Sequence, residues 1–441
     1  MSDRLLGCAI VHRFGSSFAQ TTLQQGDDMY KLPLSLVSRP LLALVILICT
    51  ACTWAATTES VLYTFSGGPD GGNPYAGLIL DSKGNLYGTT VYGGDFNYGA
   101  VFELSPVGNG AWTETVLHSF NFDGQDGIQP YSTLVLDRSG NLYGTTNIGG
   151  VYGLGTVFKL HPNRDGSWTE TILHSFNADG TDGYNPYANL ILDQQGNLYG
   201  TTYYGGSQGG VGTVFELSPR STGTWRERII FDFNYTDGGE PYGGLVSDSA
   251  GNLFGTTQYG GIYQHGVVFA LKRGPTGTWT EYVLHTFNPA TGDGFEPYCG
   301  LAIDKAHHLY GVTLYGGFGW GTVFQVAQIQ GIWTETVIHN FSYGQDGINP
   351  YGPLAIDAAG NLYGTTWQSL IDNTGGAGIV FELSQTKPGV WQETILHNFY
   401  TAGDGGNPYS GVVLDRAGNL YGTTYMGGVF PGNGVVFEVT P

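Results

Sequence analysis

The residues best suited to chemistry lie in a loop that the chain repeats, with aspartate, glycine, proline and tyrosine at matching places. Its first copy reads Asp70-Gly71-Gly72-Asn73-Pro74-Tyr75. A tyrosine offers an apolar ring face for a sugar to stack on, and a carboxylate accepts hydrogen bonds from sugar hydroxyls. We therefore predict a ligand-binding face made of Tyr75, Tyr131, Tyr187, Tyr242, Tyr298, Tyr351 and Tyr409, together with Asp126, Asp182, Asp237, Asp293 and Asp346.

The same loop also has a structural interpretation. Asp-Gly forms a turn, proline stiffens it, and tyrosine packs between neighbouring repeats. Because these residues occur in every copy, the structural role is favoured. Carbohydrate binding is the functional hypothesis that stands beside it.

Calcium is an alternative at two copies of this loop. Asp123 precedes Asp126 by three residues, and Asp179 precedes Asp182 in the same way. Calcium takes six or more oxygen ligands, and the other five copies lack the first aspartate of the pair. We therefore predict no cofactor and no metal ligand, with calcium at these two copies as the alternative.

A histidine recurs at one place in five of the repeats. Tyr63 and Phe231 take the same place in the other two, and this replacement by aromatic residues favours packing over metal binding. The five histidines are His118, His174, His285, His339 and His397.

Catalysis would need one arrangement that breaks the repetition. Glu240, Glu296, His265 and Asp372 stand where the copies differ, but they form no recognisable triad, metal ligand set or phosphate loop. The predicted function is a non-catalytic binding or scaffold module, with carbohydrate as the candidate ligand. The alternatives are a carbohydrate-active lyase or hydrolase that uses these residues, and a protein-interaction scaffold.

The elements that position these residues follow from a second repeated segment, Gly84-Asn85-Leu86-Tyr87-Gly88-Thr89-Thr90. It occurs seven times, about every 56 residues, unchanged at 84, 140, 196, 360 and 418, with Phe254 in the copy at 251 and as His307-His308-Leu309-Tyr310-Gly311-Val312-Thr313 in the copy at 307. A period of this length indicates one supersecondary unit copied along the chain. In the second copy, strands are predicted at 134–136, 142–146, 156–160 and 168–176, with turns between them. Four antiparallel strands in each of seven repeats predict an all-β, seven-bladed β-propeller.

The two ends of the repeat region are complementary. The last repeat stops after a third strand, and Val61-Leu62-Tyr63-Thr64-Phe65 matches a fourth strand that precedes the first full repeat. We expect this N-terminal strand to complete the last blade and close the ring, which removes a free sheet edge. We expect the closed propeller to be a monomer.

The Gly-Asn-Leu-Tyr-Gly-Thr-Thr segment, followed by Gly-Gly and then by a Val-Phe strand, resembles the choice-of-anchor tandem repeat family, also called GloVer repeats. The resemblance covers about 380 residues. It implies an exported bacterial protein of repeat architecture, and it implies no particular activity.

The first 55 residues are predicted to lie outside the propeller, which is assigned to 56–441. Lys31 and Arg39 precede an apolar run at 40–50, and small residues follow it, ending in Ala55-Ala56. This is the layout of a secretory signal peptide, behind an upstream extension. We expect a secreted or periplasmic protein without a membrane span, with a lipid anchor on Cys52 as the alternative. Cleavage near Ala55 would leave Cys299 alone, without a disulfide partner.

The charge of the chain restricts its partners. It carries 16 Lys and Arg against 36 Asp and Glu, a formal net charge of -20. So few cations cannot neutralise a phosphate backbone, and nucleic acid is excluded as a partner. An extracellular polysaccharide or a surface protein is the expected partner.

Overall fold

The computed structural model describes residues 57–441 except 343, 345, 370–375, 401–402 and 429–431. The predicted signal peptide, the Cys52 anchor and Asp372 lie outside the described residues. The described part of the chain contains no helix with the length and hydropathy needed to cross a membrane.

Within these residues, seven four-stranded antiparallel sheets confirm the predicted seven-bladed propeller. The first strands are Ile79–Leu80, Val135–Leu136, Ile191–Leu192, Val246–Ser247, Ala302–Ile303, Ala355–Ile356 and Val413–Leu414. The second strands are Leu86–Thr90, Leu142–Thr146, Leu198–Thr202, Leu253–Thr257, Leu309–Thr313, Leu362–Thr366 and Leu420–Thr424. The third strands are Ala100–Gly108, Thr156–Pro162, Thr213–Pro219, Val267–Arg273, Thr322–Ile329, Ile379–Lys387 and Val435–Thr440. The fourth strands are Ala111–Ser119, Trp168–Ser175, Trp225–Asp232, Trp279–Thr286, Ile332–Asn340, Val390–Asn398 and, for the last blade, Thr58–Thr64.

The ring closes as the sequence predicted. Thr58–Thr64 pairs antiparallel with Val435–Thr440, so the chain's first described strand is the outer strand of the seventh blade. Its backbone groups are thereby paired with the other end of the chain, which ties the two ends together.

The repeated Gly-Asn-Leu-Tyr-Gly-Thr-Thr segment is explained by the contacts of its side chains. In the first blade, Asp81 accepts hydrogen bonds through Oδ2 from Asn85 Nδ2 at 3.0 Å and from Tyr87 Oη at 3.4 Å. The second glycine, Gly88, faces the buried ring of Phe102, where a Cβ atom would stand 2.6 Å from the ring. A larger residue at this position would therefore push the aromatic core apart.

The first threonine of the segment joins neighbouring blades. Thr256 Oγ1 donates to the carbonyl oxygen of Cys299 at 2.8 Å, and Thr365 Oγ1 donates to that of Ser410 at 2.7 Å. In the fifth copy Val312 takes this place, and its buried side chain cannot make the bond. The core between blades is otherwise made of leucine, valine and aromatic side chains, with contacts such as Phe120 against Phe158 at 5.3 Å between ring centres.

Short antiparallel ribbons lie on one face of the propeller. They pair Gly127–Ile128 with Ile148–Gly149, Gly183–Tyr184 with Tyr204–Gly205, and Gly294–Phe295 with Tyr315–Gly316. Each ribbon joins a connection that enters a blade to the Gly-Gly loop of that same blade. The Asp-Pro-Tyr loops and the Gly-Gly loops therefore share one face. A 3-10 helix, Pro289–Thr291, lies in one of the connections.

Candidate functional site

The seven predicted tyrosines meet around the propeller axis. Each ring contacts the next, and the circuit closes from the last blade to the first. The spacings between ring centres are 5.0 Å for Tyr75–Tyr131, 5.6 Å for Tyr131–Tyr187, 4.6 Å for Tyr187–Tyr242, 3.8 Å for Tyr242–Tyr298, 5.2 Å for Tyr298–Tyr351, 5.2 Å for Tyr351–Tyr409 and 4.6 Å for Tyr75–Tyr409. We call this set the tyrosine ring. Its members are half-buried, because their faces cover one another.

The tyrosine ring closes the mouth of the central channel. The space left among its side chains measures about 70 Å³, whereas pockets that enclose small ligands usually measure about 300 Å³ or more. Tyr75 Oη and Tyr242 Oη are hydrogen-bonded across the mouth at 3.1 Å. A sugar therefore cannot enter between the rings in this conformation. A ligand could contact the tyrosine ring only from outside the channel, at the surface of this face.

The hydroxyls of the tyrosine ring remain protonated at neutral pH. Burial, reinforced by neighbouring tyrosines, raises the pKa of Tyr131 and of Tyr351 to about 12. Burial also raises the pKa of Tyr242 well above its usual value. These groups are therefore hydrogen-bond donors, and none is poised to act as a base.

Exposed aromatic side chains also lie on the loops of this face. They come from the Gly-Gly loops and from the connections that enter the blades. Phe318 is 72% exposed, Phe122 65%, Tyr152 60% and Phe96 55%. Some form pairs, such as Tyr98 with Phe122 at 5.8 Å and Phe295 with Tyr315 at 5.5 Å. We call these aromatic residues, together with the tyrosine ring, the aromatic face.

The connections that enter the fourth and fifth blades differ from the others on this face in the residue before proline. The residue before proline is asparagine in four copies, and there it donates to the preceding blade, as Asn185 Nδ2 does to the carbonyl of Asn147 at 2.9 Å. Glu240 and Glu296 take this place in two other copies, and a carboxylate cannot donate. Glu240 Oε1 instead accepts a hydrogen bond from Tyr235 Oη at 2.6 Å.

The second of these glutamates also has polar neighbours. Burial raises the pKa of Glu296, against the opposing effects of a hydrogen bond from Gln258 and the charge of His265. Gln258 in turn accepts from Tyr203 Oη at 3.2 Å and donates to Tyr259 Oη at 3.1 Å. The sequence-predicted candidates Glu240, Glu296 and His265 thus lie in a patch of aromatic, amide and carboxylate groups.

The predicted aspartates lie apart from the tyrosine ring, at the outer strands. His118 Nε2 donates to Asp126 Oδ2 at 3.2 Å, and His285 Nε2 donates to Asp293 Oδ2 at 2.8 Å. The same pairing joins His174 to Asp182 at 3.0 Å.

The two remaining predicted aspartates bind their own loops. Asp237 belongs to the repeat in which Phe231 replaces the histidine. It accepts hydrogen bonds from the backbone nitrogen and the side chain of Asn234 at 3.0 and 2.7 Å. Asp346 accepts from the backbone and hydroxyl of Ser342 at 3.0 Å. The histidines also pack, as predicted, with His118 against Phe120 at 4.8 Å between ring centres.

Asp123 and Asp179, the residues of the calcium alternative, accept hydrogen bonds from backbone groups of their own turns. Asp123 Oδ1 accepts from the backbone nitrogens of Gln125 and Asp126 at 2.8 and 2.9 Å. These backbone bonds lower the pKa of Asp123. Its carboxylate is therefore used as a turn acceptor, and Asp179 does the same with Thr181 and Asp182.

A glutamate completes three of the histidine and aspartate sets, those of His118, His285 and His339, and it was not predicted from the sequence. It comes from the fourth strand of the next blade, so that Glu170 Oε1 lies 3.7 Å from His118 Nε2. Glu393 Oε1 lies 3.8 Å from His339 Nε2 in the same way. The sequence signal is a glutamate two residues after the tryptophan in six of the seven fourth strands, as in Trp168-Thr169-Glu170.

These glutamates share one electrostatic environment. Burial, with a smaller contribution from Asp293, raises the pKa of Glu335 to about 7. Burial and Asp346 raise the pKa of Glu393 to about 8. A carboxyl group so placed resists ionisation unless a positive charge joins it.

Comparison with known proteins adds a family and remote structural similarity. The family model of the Gloeobacter/Verrucomicrobia repeat matches residues 51–226, 163–317, 207–390 and 318–441. No curated protein matches the chain in sequence.

Solved structures with similar chain traces include PorZ of Porphyromonas gingivalis, an essential surface component of its type-IX secretion system. It is 15% identical with a TM-score of 0.47, over 83% of this chain and 46% of PorZ, so the chain spans about half of PorZ. A luciferin-regenerating enzyme is 12% identical with a TM-score of 0.41, over 88% of this chain and 96% of the enzyme. A protein of unknown function from Dyadobacter fermentans is 12% identical with a TM-score of 0.40, over 87% of this chain and 98% of that one.

Proposed function

Because the chain belongs to the Gloeobacter/Verrucomicrobia repeat family and forms a closed propeller, we propose that it is an exported, non-catalytic binding module whose aromatic face binds neutral polysaccharide. The observation that carries the proposal is the set of exposed aromatic side chains on that face. Large apolar side chains grouped at a surface are typical of interaction sites.

The chemistry of the face favours a carbohydrate over other partners. Aromatic rings stack on the apolar faces of sugars. A polysaccharide repeats such faces along its length, which suits a propeller that carries aromatic residues on several blades. The patch around Glu240 and Gln258 offers acceptors and donors for sugar hydroxyls. A chain with a formal net charge of -20 repels acidic polymers, which favours a neutral one.

The test is binding of the chain to neutral and acidic polysaccharides. Residues 56–441 include the strand that closes the ring, so this span is the protein to use. Laminarin and xyloglucan are the neutral probes and polygalacturonate is the acidic one, each followed by titration calorimetry. We expect weak, multiple binding to a neutral probe and none to polygalacturonate.

A pair of variants locates the binding. Tyr152→Ala with Phe318→Ala removes two exposed rings from the aromatic face, and we expect about a tenfold loss of affinity, which corresponds to roughly 1.4 kcal/mol. Ile332→Ala with Val390→Ala is the matched control, because these exposed residues lie at turns between third and fourth strands, on the opposite face. Equal binding by both variants, or no binding to any neutral probe, would overturn the proposal.

The alternatives from the sequence are separate outcomes of the same experiment. New reducing ends released from a polysaccharide would contradict a non-catalytic role and direct attention to Glu240 and Glu296. Absence of binding to every polysaccharide would leave a protein-interaction scaffold as the better explanation of the aromatic face.

A further inference from the structure

The clusters at the outer strands have the composition and spacing of a metal site. In three of them the ligand atoms of a histidine, an aspartate and a glutamate all lie within 4.8 Å of one another. The described residues place these clusters at His118/Asp126/Glu170, His285/Asp293/Glu335 and His339/Asp346/Glu393. Each takes its histidine and aspartate from one blade and its glutamate from the next.

The distances within the first cluster are those between ligands of one ion. His118 Nε2 lies 3.2 Å from Asp126 Oδ2 and 3.7 Å from Glu170 Oε1. Ligand atoms bonded to zinc at about 2.0–2.1 Å in a tetrahedron stand roughly 3.3 Å apart. Small movements of the side chains would therefore bring all three atoms onto one ion.

Buried polar atoms in these clusters lack hydrogen-bond partners among the described residues. They include Asp126 Oδ1, Glu170 Oε1, Asp293 Oδ1 and Glu335 Oε1. The side chains of Asp126 and Asp293 are only 5% and 7% exposed. Buried oxygens are normally satisfied, so these carboxyls need either a proton shared between them, as Glu170 can share one with Asp126, or a positive partner.

In the third cluster a histidine nitrogen also lacks a hydrogen-bond partner among the described residues. His339 Nε2 and Glu393 Oε1 face each other at 3.8 Å, and neither has a hydrogen-bond partner in the described part of the chain. A ring nitrogen and a carboxylate oxygen together are the donor set that zinc uses with two or three further ligands.

We propose that these three clusters each bind a divalent transition-metal ion, with zinc as the representative, and that each ion joins two neighbouring blades. Two carboxylates and a neutral imidazole balance the charge of the ion. Because His118 and Glu170 remain 19% and 15% exposed, water can reach the fourth position. Zinc binding at Nε2 requires this nitrogen to carry no proton, so the neutral imidazole would hold its proton on Nδ1.

The chain contains its own matched controls. Two blades carry the aspartate and the glutamate but have an aromatic residue in place of histidine, in the sets Tyr63/Asp70/Glu114 and Phe231/Asp237/Glu281. Without an imidazole these sets lack one zinc ligand, although their glutamates occupy the same place in the fold. Replacement of Glu114 or Glu281 should therefore leave bound zinc unchanged.

The experiment measures zinc held by residues 56–441 without a histidine tag, after incubation with zinc chloride at pH 8 and dialysis. We expect about three zinc ions per chain. The triple variant Glu170→Gln, Glu335→Gln and Glu393→Gln should bind zinc on the order of 100-fold more weakly. The double variant Glu114→Gln and Glu281→Gln should retain the wild-type zinc content and affinity.

Two results would overturn the proposal. One is a wild-type chain that retains no zinc, which would leave the carboxylates to share a proton instead. The other is equal zinc binding by the triple and double variants, which would mark adventitious binding at the surface. Should the triple variant fail to fold, cobalt added to the unmodified chain gives a separate readout, because tetrahedral sites absorb visible light strongly. Only weak octahedral absorption would also contradict the proposal.

Discussion

The tyrosine ring and the His/Asp/Glu clusters are both repeated around the propeller, but they differ in how their groups are satisfied. In the tyrosine ring each aromatic face is covered by its neighbour, and Tyr75 and Tyr242 are hydrogen-bonded across the axis at 3.1 Å. In the clusters, buried oxygens such as Asp126 Oδ1 have no hydrogen-bond partner among the described residues.

This difference shows that repetition alone does not reveal a residue's role. Seven copies of one aromatic residue at an axis are complementary to each other, so the tyrosine ring is complete without a ligand. Three different polar residues at a blade boundary are not complementary, because two of them are acceptors with the same charge. The less uniform of the two repeated regions is therefore the better candidate for binding an ion.

The largest effect should follow from opening the tyrosine ring. Tyr242 stacks on Tyr298 at 3.8 Å and on Tyr187 at 4.6 Å. Removal of its side chain in Tyr242→Ala should lower the free energy of unfolding by about 3 kcal/mol, since the neighbours cannot fill the space. Urea unfolding measures this, and zinc content should not change.

The conservative variant separates packing from hydrogen bonding. Tyr242→Phe keeps the stacked ring and loses the bond to Tyr75, so its loss should be about 1 kcal/mol. An alanine variant as stable as the wild type would contradict a packed ring.

A smaller effect is expected from a cluster aspartate in metal-free protein. Asp126 Oδ2 accepts from His118 and from the backbone nitrogen of Asn121 at 3.0 Å. Asp126→Ala leaves both donors buried without an acceptor and should lower the free energy of unfolding by about 2 kcal/mol. Asp126→Asn retains one acceptor oxygen and should lose less. No difference between these variants in urea unfolding with a chelator present would show that the cluster needs no acceptor there.

The smallest effect concerns pH at the clusters without histidine. Burial, followed by the charge of Asp70, raises the pKa of Glu114 from 4.5 to about 7, and burial with Asp237 does the same for Glu281. The folded state then holds the proton more tightly than the unfolded state. The stability that these two protonated carboxyls contribute is therefore fully present below about pH 4.5 and is lost as the pH rises through about 7.

The double variant Glu114→Gln and Glu281→Gln should remove this part of the pH dependence. The difference between the two proteins should be less than about 1 kcal/mol for each residue, because both side chains are partly exposed to solvent. Thermal unfolding at pH 5 and pH 8 measures it. Parallel pH profiles for the two proteins would contradict the assigned shifts.

Most of the fold was predictable from local sequence. The period of about 56 residues and the turn residues around Gly84-Asn85 determine the strands and their number. The closing strand was predictable because one end lacked a strand and the other end supplied it. The strand at Thr58–Thr64 begins three residues earlier than the predicted Val61, since pairing with the last strand extends it.

The candidate sites were only partly predictable, because they depend on contacts between blades. The sequence identified the tyrosines and the aspartates, but could not tell that Tyr75 lies against Tyr409, which is 334 residues away in the chain. It also grouped the tyrosines with the aspartates, which the structure holds at different radii of the propeller.

The sequence by itself determined the repeat, the strands, the closure of the ring and the residue types available for chemistry, because these depend on local patterns. The tertiary structure decided which of them meet. Glu170 reaches His118 only because the fourth strands of adjacent blades lie side by side. The same packing buries the carboxylates, and that burial turns an ordinary repeated glutamate into a candidate metal ligand.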